Sequence, residues 1–195
     1  MKLTLIKPNI GRREHSLYVD EARMEPLQLG ILAALTPNDI EVVMYDDRME
    51  QIPYDEPTDL AAITVETFTA RRAYEISAEF RKRGVKGVMG GMHVKLIPDE
   101  VSEYCDSIII GDAEPVWADM IEDCRRYELK ERYISVQPEC PQINVITRRD
   151  IFEGKGYLPI TLLQFSRGCN HKCNFCASSV YFNAHHYCRP VADVI

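Results

Sequence analysis

The chain has 195 residues, 46% of them hydrophobic and 27% charged, with a formal net charge of −7. That length suits one full domain and part of another, and the composition is ordinary for a globular protein. The acidic balance speaks against a general nucleic-acid binder, which is usually basic, and no apolar run approaches the ~20 residues of a membrane span.

In chain order, short apolar runs alternate with amphipathic stretches. The first run, Lys2-Leu3-Thr4-Leu5-Ile6, is too short and too polar at its flanks for a secretory signal. Strands are expected over 3–6, 41–45, 60–65, 85–89 and 107–110. Helices are expected over 26–35, where Leu27, Gly30, Ile31 and Ala34 recur at helical spacing, and over 71–83, 98–104 and 115–126. Gly84 sits where a helix C-cap belongs, and Pro98 and Pro115 stand in first turns, where proline is tolerated. The runs 60–63 and 108–110 are apolar throughout, as in strands covered on both faces. Such alternation predicts a doubly wound α/β domain with a parallel sheet over residues 1–135.

Residues 136–158 read as a linker, punctuated by Pro138, Pro141, Gly154 and Gly156. Gly154-Lys155-Gly156 lacks the further glycines of a phosphate loop. The run 160–165 is the expected first strand of a second unit, 159–195. Arg189-Pro190 followed by 191–195 reads as a helix start, and there the chain stops, so a truncated unit is expected.

In open parallel sheets ligands bind beyond the carboxyl ends of the strands. Here those ends carry Pro8 and Asn9; Asp46 and Asp47; Thr64, Glu66 and Thr67; Gly90, Gly91, Met92 and His93; and Gly111, Asp112 and Glu114. Gly90-Gly91 suits either a close backbone approach to a ligand or a tight turn. Asp46 and Asp47 read as a solvated turn, His93 as a loop histidine, and Trp117 as packing a helix onto the sheet.

Seven cysteines occur, at 105, 124, 140, 169, 173, 176 and 188. An odd number with no secretory signal favours a reducing cytoplasm and metal binding over disulfides. Cys105 and Cys124 fall among apolar helix residues, as buried free thiols do; Cys140 lies in the linker. Cys169, Cys173 and Cys176 stand within eight residues as Cys-x-x-x-Cys-x-x-Cys. Thiolates are the usual ligands of iron–sulfur clusters, and three of them leave a fourth iron open. Zinc is the inorganic alternative, its tetrahedron completed by His185, His186 or Cys188.

Cys169-Asn170-His171-Lys172-Cys173-Asn174-Phe175-Cys176 resembles the signature of the radical S-adenosylmethionine (radical SAM) enzymes, Cys-x-x-x-Cys-x-aromatic-Cys. The resemblance implies a four-iron four-sulfur cluster on Cys169, Cys173 and Cys176, with S-adenosylmethionine on the open iron and Phe175 touching the adenine or the cluster. One electron then cleaves the sulfonium to a 5′-deoxyadenosyl radical. A reductant protein such as flavodoxin or ferredoxin and a small-molecule substrate are the implied partners.

The order Pro26…Gly30…Ala33-Ala34-Leu35, Asp46, Gly90-Gly91-Met92-His93, Pro98-Asp99-Glu100, Gly111-Asp112-Ala113-Glu114 resembles the cobalamin-binding domain found ahead of many radical SAM barrels. It implies a flavodoxin- or Rossmann-like sheet of the cobalamin-binding type. Pro8, Asn9, Asp46, Thr64, Glu66, Gly90, Gly91, Met92, His93, Gly111 and Glu114 are the implied corrinoid contacts. The run Asp-x-His-x-x-Gly, by which some such domains ligate cobalt through histidine, is missing. Methyl transfer to an unactivated carbon is the leading implied reaction, with cyclisation or rearrangement beside it. A binding module without turnover, for a corrinoid or a nucleotide and with a zinc-holding cysteine loop, is the alternative.

Overall fold

The computed structural model describes residues 1–10, 23–135 and 145–193. Strands β1 (Lys2–Lys7), β2 (Glu41–Asp46), β3 (Leu60–Thr64), β4 (Lys86–Gly90), β5 (Ser107–Ile110) and β6 (Arg132–Ile134) form one sheet in the order β2-β1-β3-β4-β5-β6. Every pairing is parallel. Five of these strands coincide with the expected runs to within a residue or so at each end. The strand order reverses between β1 and β3, the arrangement of a doubly wound, Rossmann-like sheet.

Side chains alternate across a strand, and here both faces are apolar. Leu3, Leu5, Leu60, Ala62, Val88 and Ile109 meet α1 (Leu27–Leu35) and α5 (Trp117–Arg125) on one face. Ile6, Ala61, Ile63, Met89 and Ile108 meet α2 (Ala70–Lys82), α3 (Met92–Leu96) and α4 (Pro98–Ser102) on the other. Trp117 is buried, as expected, and its indole N–H donates to Thr36 Oγ1 at 3.0 Å. Gly84, at φ +76°, ends α2.

Two elements of the sheet unit lay outside the expectation. The strand β6 is a three-residue run with charged neighbours, and α3 begins at once after the pair Gly90-Gly91. Gly91 has φ +119°, and a Cβ there would stand 2.7 Å from the Val65 carbonyl oxygen. Only glycine lets the chain turn this close to β3.

Residues 145–158 wrap onto the sheet unit. Ile151 and Phe152, in a single 3-10 turn, are buried beside α1. Arg148 donates its N–H to the Gly30 carbonyl at 3.1 Å, and a Cβ on Gly30 would lie 2.4 Å from Thr147 Cγ2. Residues 138 and 141 lie outside the described residues, as does Cys140.

The expected strand 160–165 is not one. A strand needs a ladder of hydrogen bonds to a neighbour, and among the described residues only Phe165, at its end, has such a bond, its carbonyl accepting from the Arg189 N–H at 2.9 Å. Pairing starts at β7 (Ser166–Gly168), antiparallel to β8 (His186–Cys188), with α6 (Ala177–Tyr181) between them. The expected helix at 191–195 is described only as a 3-10 turn, Val191–Asp193. Among the described residues no helix is long and apolar enough to cross a membrane.

Candidate functional site

A cavity of about 430 Å³ opens at the carboxyl ends of β3, β4 and β5. Thr64, Glu66, Gly90, Gly91, Met92, Gly111, Asp112 and Glu114 line it, eight of the strand-end residues singled out from the sequence. The size suits a small-molecule or cofactor site. One wall comes from α1. Leu29, Gly30 and Ala33 of this helix are buried, and Leu27, Leu29, Ile31 and Leu32 line the cavity. The core and the cavity thus share the apolar side of this helix, Leu29 and Leu32 belonging to both. At the opposite side stand Gln164, Arg167, Tyr181 and Phe182, from the segment that holds the cysteine loop.

Charge joins the two walls. Arg167 Nη2 lies 2.8 Å from Glu114 Oε1, and Arg167 Nη1 lies 3.2 Å from Asp112 Oδ2. The side chains of Asp112 and Glu114 are each only 8% exposed. Burial opposes the guanidinium's charge, but Glu114 and then Asp112 outweigh it and raise the Arg167 pKa. Tyr181 donates its hydroxyl to Asp112 Oδ1 at 3.2 Å; burial first, then the Asp112 charge, pushes this phenol well above its ordinary value. Lys95 of α3 lies over the Tyr181 ring and donates to the Tyr181 carbonyl. Its pKa is lowered by burial, partly countered by Asp112.

The cysteine loop runs between these anchors. Cys169, Cys173 and Cys176 are free thiols, Cys173 exposed and the others half-buried. Cys169 donates its N–H to the His185 carbonyl at 2.9 Å, and Cys176 to that of Cys173 at 3.1 Å. Backbone N–H groups of Ser179 and Ser178 lower the Cys176 pKa towards the thiolate. Three free, reachable thiols, one of them shifted towards the ligating form, are a donor set that fits an iron–sulfur cluster or zinc. Among the described residues no three such side chains are already gathered around one point, so the loop would have to close on a metal. Phe175 is 90% exposed. Cys188 Sγ lies 3.9 Å from His186 Nδ1 on β8, both exposed.

The remaining strand-end residues lie elsewhere. Asp46 is fully buried rather than solvated, held by Arg48 (2.6 and 2.8 Å) and by the Tyr157 hydroxyl at 2.8 Å. Asp47, also expected in solvent, has a side chain 6% exposed and is clamped by Arg72. Asn9 bonds to Asp47, and Pro8 before it is buried. His93 is not on a loop: it is buried in α3, with Nδ1 3.3 Å from Thr67 Oγ1 and Nε2 3.3 Å from the Tyr74 hydroxyl. Lys7 pairs with Glu66 at 2.5 Å at the point where the strand order reverses. Arg167 and Tyr181 were not foreseen. The one hint was an arginine set between an apolar run and Gly168-Cys169.

The chain is similar to methyltransferases. It shares 34% identity over 174 residues with the bacteriochlorophyllide d C-8(2)-methyltransferase of Chlorobaculum tepidum, covering 82% of this chain and 38% of that protein. With the bacteriochlorophyllide d C-12(1)-methyltransferase of the same organism it shares 29% over 196 residues, 95% of this chain and 42% of the relative. An uncharacterized methyltransferase of Pyrococcus horikoshii is 24% identical over 190 residues, 80% of this chain and 41% of that protein. The chain thus spans about two-fifths of the length of these relatives. No family model matches it.

Proposed function

We propose that this chain is the corrinoid-binding and cluster-binding portion of a radical SAM methyltransferase, acting on a carbon of a bacteriochlorophyllide-like tetrapyrrole. The observation that carries this reading is the docking of the three-cysteine loop, by Arg167 and Tyr181, against the strand-end cavity. The methyltransferase names of the relatives supply the reaction class, and the two Chlorobaculum names supply the acceptor.

In this reading Cys169, Cys173 and Cys176 hold the cluster and Phe175 contacts S-adenosylmethionine. Thr64, Glu66, Gly90, Gly91, Met92, Gly111 and Glu114 face the corrinoid. The fit rests on chemistry. A corrinoid is an apolar ring fringed by amides, and the cavity pairs apolar walls with carboxylates at its edge. Asp112 Oδ2 is buried and, apart from its ion pair, has no hydrogen-bond partner among the described residues, so it can accept from an amide N–H. The added Cβ of an alanine at Gly90 would meet only Ile109, at 3.7 Å, so the chain comes close to the cavity there without a side chain. When bound, the cluster supplies the electron for reductive cleavage of S-adenosylmethionine, and the corrinoid carries the methyl group. The protein's part is to hold the thiols, seat the ring and keep water from the space between them.

The test uses the full-length protein, purified without oxygen and reconstituted with iron and sulfide. With a strong reductant it should release 5′-deoxyadenosine from S-adenosylmethionine, and with added cobalamin it should methylate the tetrapyrrole. A reconstituted protein that cleaves no S-adenosylmethionine would instead be a binding module.

A further inference from the structure

The cysteine loop is tied down at both flanks by one residue that belongs to the other half of the molecule. Arg167 lies two positions before Cys169, and Tyr181 five positions after Cys176. Both reach Asp112, at the carboxyl end of β5: Arg167 Nη1 at 3.2 Å from Oδ2, and the Tyr181 hydroxyl at 3.2 Å from Oδ1, while Glu114 also pairs with Arg167 at 2.8 Å and Asp112 alone joins the two flanks. Asp112 and Tyr181 are buried, and Arg167 is nearly so. All three also line the cavity. Contacts to a buried charge are directional and stronger than neutral hydrogen bonds, and leaving such a charge unpaired is costly.

We propose that Asp112 is a positioning residue: it fixes the loop 169–176 beside the cavity by holding the arginine that enters the loop and the tyrosine that leaves it. The two oxygens of one carboxylate divide the work, Oδ2 serving the entry and Oδ1 the exit. Whatever fills the cavity meets the same carboxylate, so the occupant and the cysteines share a contact. The proposal builds on reading the loop as a metal-binding one, but its test needs no metal. A protein that takes up no iron would therefore refute the cluster and leave the positioning role to stand or fall by itself.

The test is site-resolved alkylation of the metal-free, full-length protein with iodoacetamide, read by mass spectrometry. Asp112→Ala should speed labelling at Cys169 and Cys176 about tenfold, the factor that loss of ~1.4 kcal/mol of holding free energy gives. Cys173, already exposed, should change little, and the sheet-unit thiols, buried Cys105 and half-buried Cys124, not at all. Tyr181→Phe should quicken Cys176 alone, and Arg167→Gln mainly Cys169. Unchanged rates at Cys169 and Cys176 in Asp112→Ala would overturn the proposal. So would an equal rise at Cys105 and Cys124, which reports general loosening. If Asp112→Ala does not fold, Tyr181→Phe decides: a rise confined to Cys176 supports the role, and no rise refutes it.

Discussion

The sheet unit and the cysteine-loop segment are held by different forces. In the sheet unit Leu3, Leu5, Ile6, Leu60, Ile76 and Ile108 are completely buried, and burial of apolar area, which has no direction, sets their place. The loop segment keeps its large apolar side chains in the open: Leu163 is 58% exposed, Phe175 90% and Val180 61%. Its anchors are an arginine, a tyrosine and two carboxylates. The lesson is that a core tolerates changes of sequence that keep volume, whereas a charged anchor tolerates changes of volume that keep hydrogen bonds.

Substitutions can break this contrast, starting with the core. Trp117→Ala removes a buried indole and its bond to Thr36; it should cost ~3–5 kcal/mol in denaturant unfolding and leave alkylation of Cys173 unchanged below the transition. The second effect is a pH dependence. Burial pushes the Cys105 thiol from its ordinary 9.0 up to about 12. A raised acid pKa in the folded state gives stability that is complete below pH 9 and lost as pH rises towards 12. The loss reaches up to ~4 kcal/mol, at about 1.4 kcal/mol per unit. Urea unfolding between pH 8 and 11 should show this slope in the wild type and a shallower one in Cys105→Ala.

Gly91→Ala should cost ~1–3 kcal/mol, because φ +119° and the Val65 carbonyl both oppose a Cβ; a Tm shift of several degrees would register it. Tyr127 is 98% exposed at φ +61°, so Tyr127→Gly should raise Tm slightly, for a gain of ~0.5–1 kcal/mol. Phe175→Ala closes the series, with a stability change within ~0.5 kcal/mol. A large loss there would mean that Phe175 packs against protein.

The parts of the fold legible in the sequence are those that local pattern decides. Continuous apolar runs marked β3 and β5, and a 3.6-residue period with Gly84 after it marked α2. The cavity was foreshadowed by strand-end glycines, since Gly90, Gly91 and Gly111 all line it. What stayed hidden depends on distant partners. The run 160–165 has the composition of a strand but, among the described residues, no ladder along it: only Phe165 bonds to a facing segment, at Arg189. Asp46 reads as a solvent-facing turn until Arg48 and Tyr157 close over it. The role of Arg167 depends on Asp112 and Glu114, more than fifty residues away, and no spacing rule links them.

The account stands on the cysteine trio. Its most direct test is the iron and acid-labile sulfide content of the anaerobically purified full-length protein, beside the variant with Cys169, Cys173 and Cys176 all changed to alanine. The prediction is iron and sulfide in equal amounts in the wild type and neither in the variant. One zinc per chain without sulfide, or equal iron in both proteins, would contradict it.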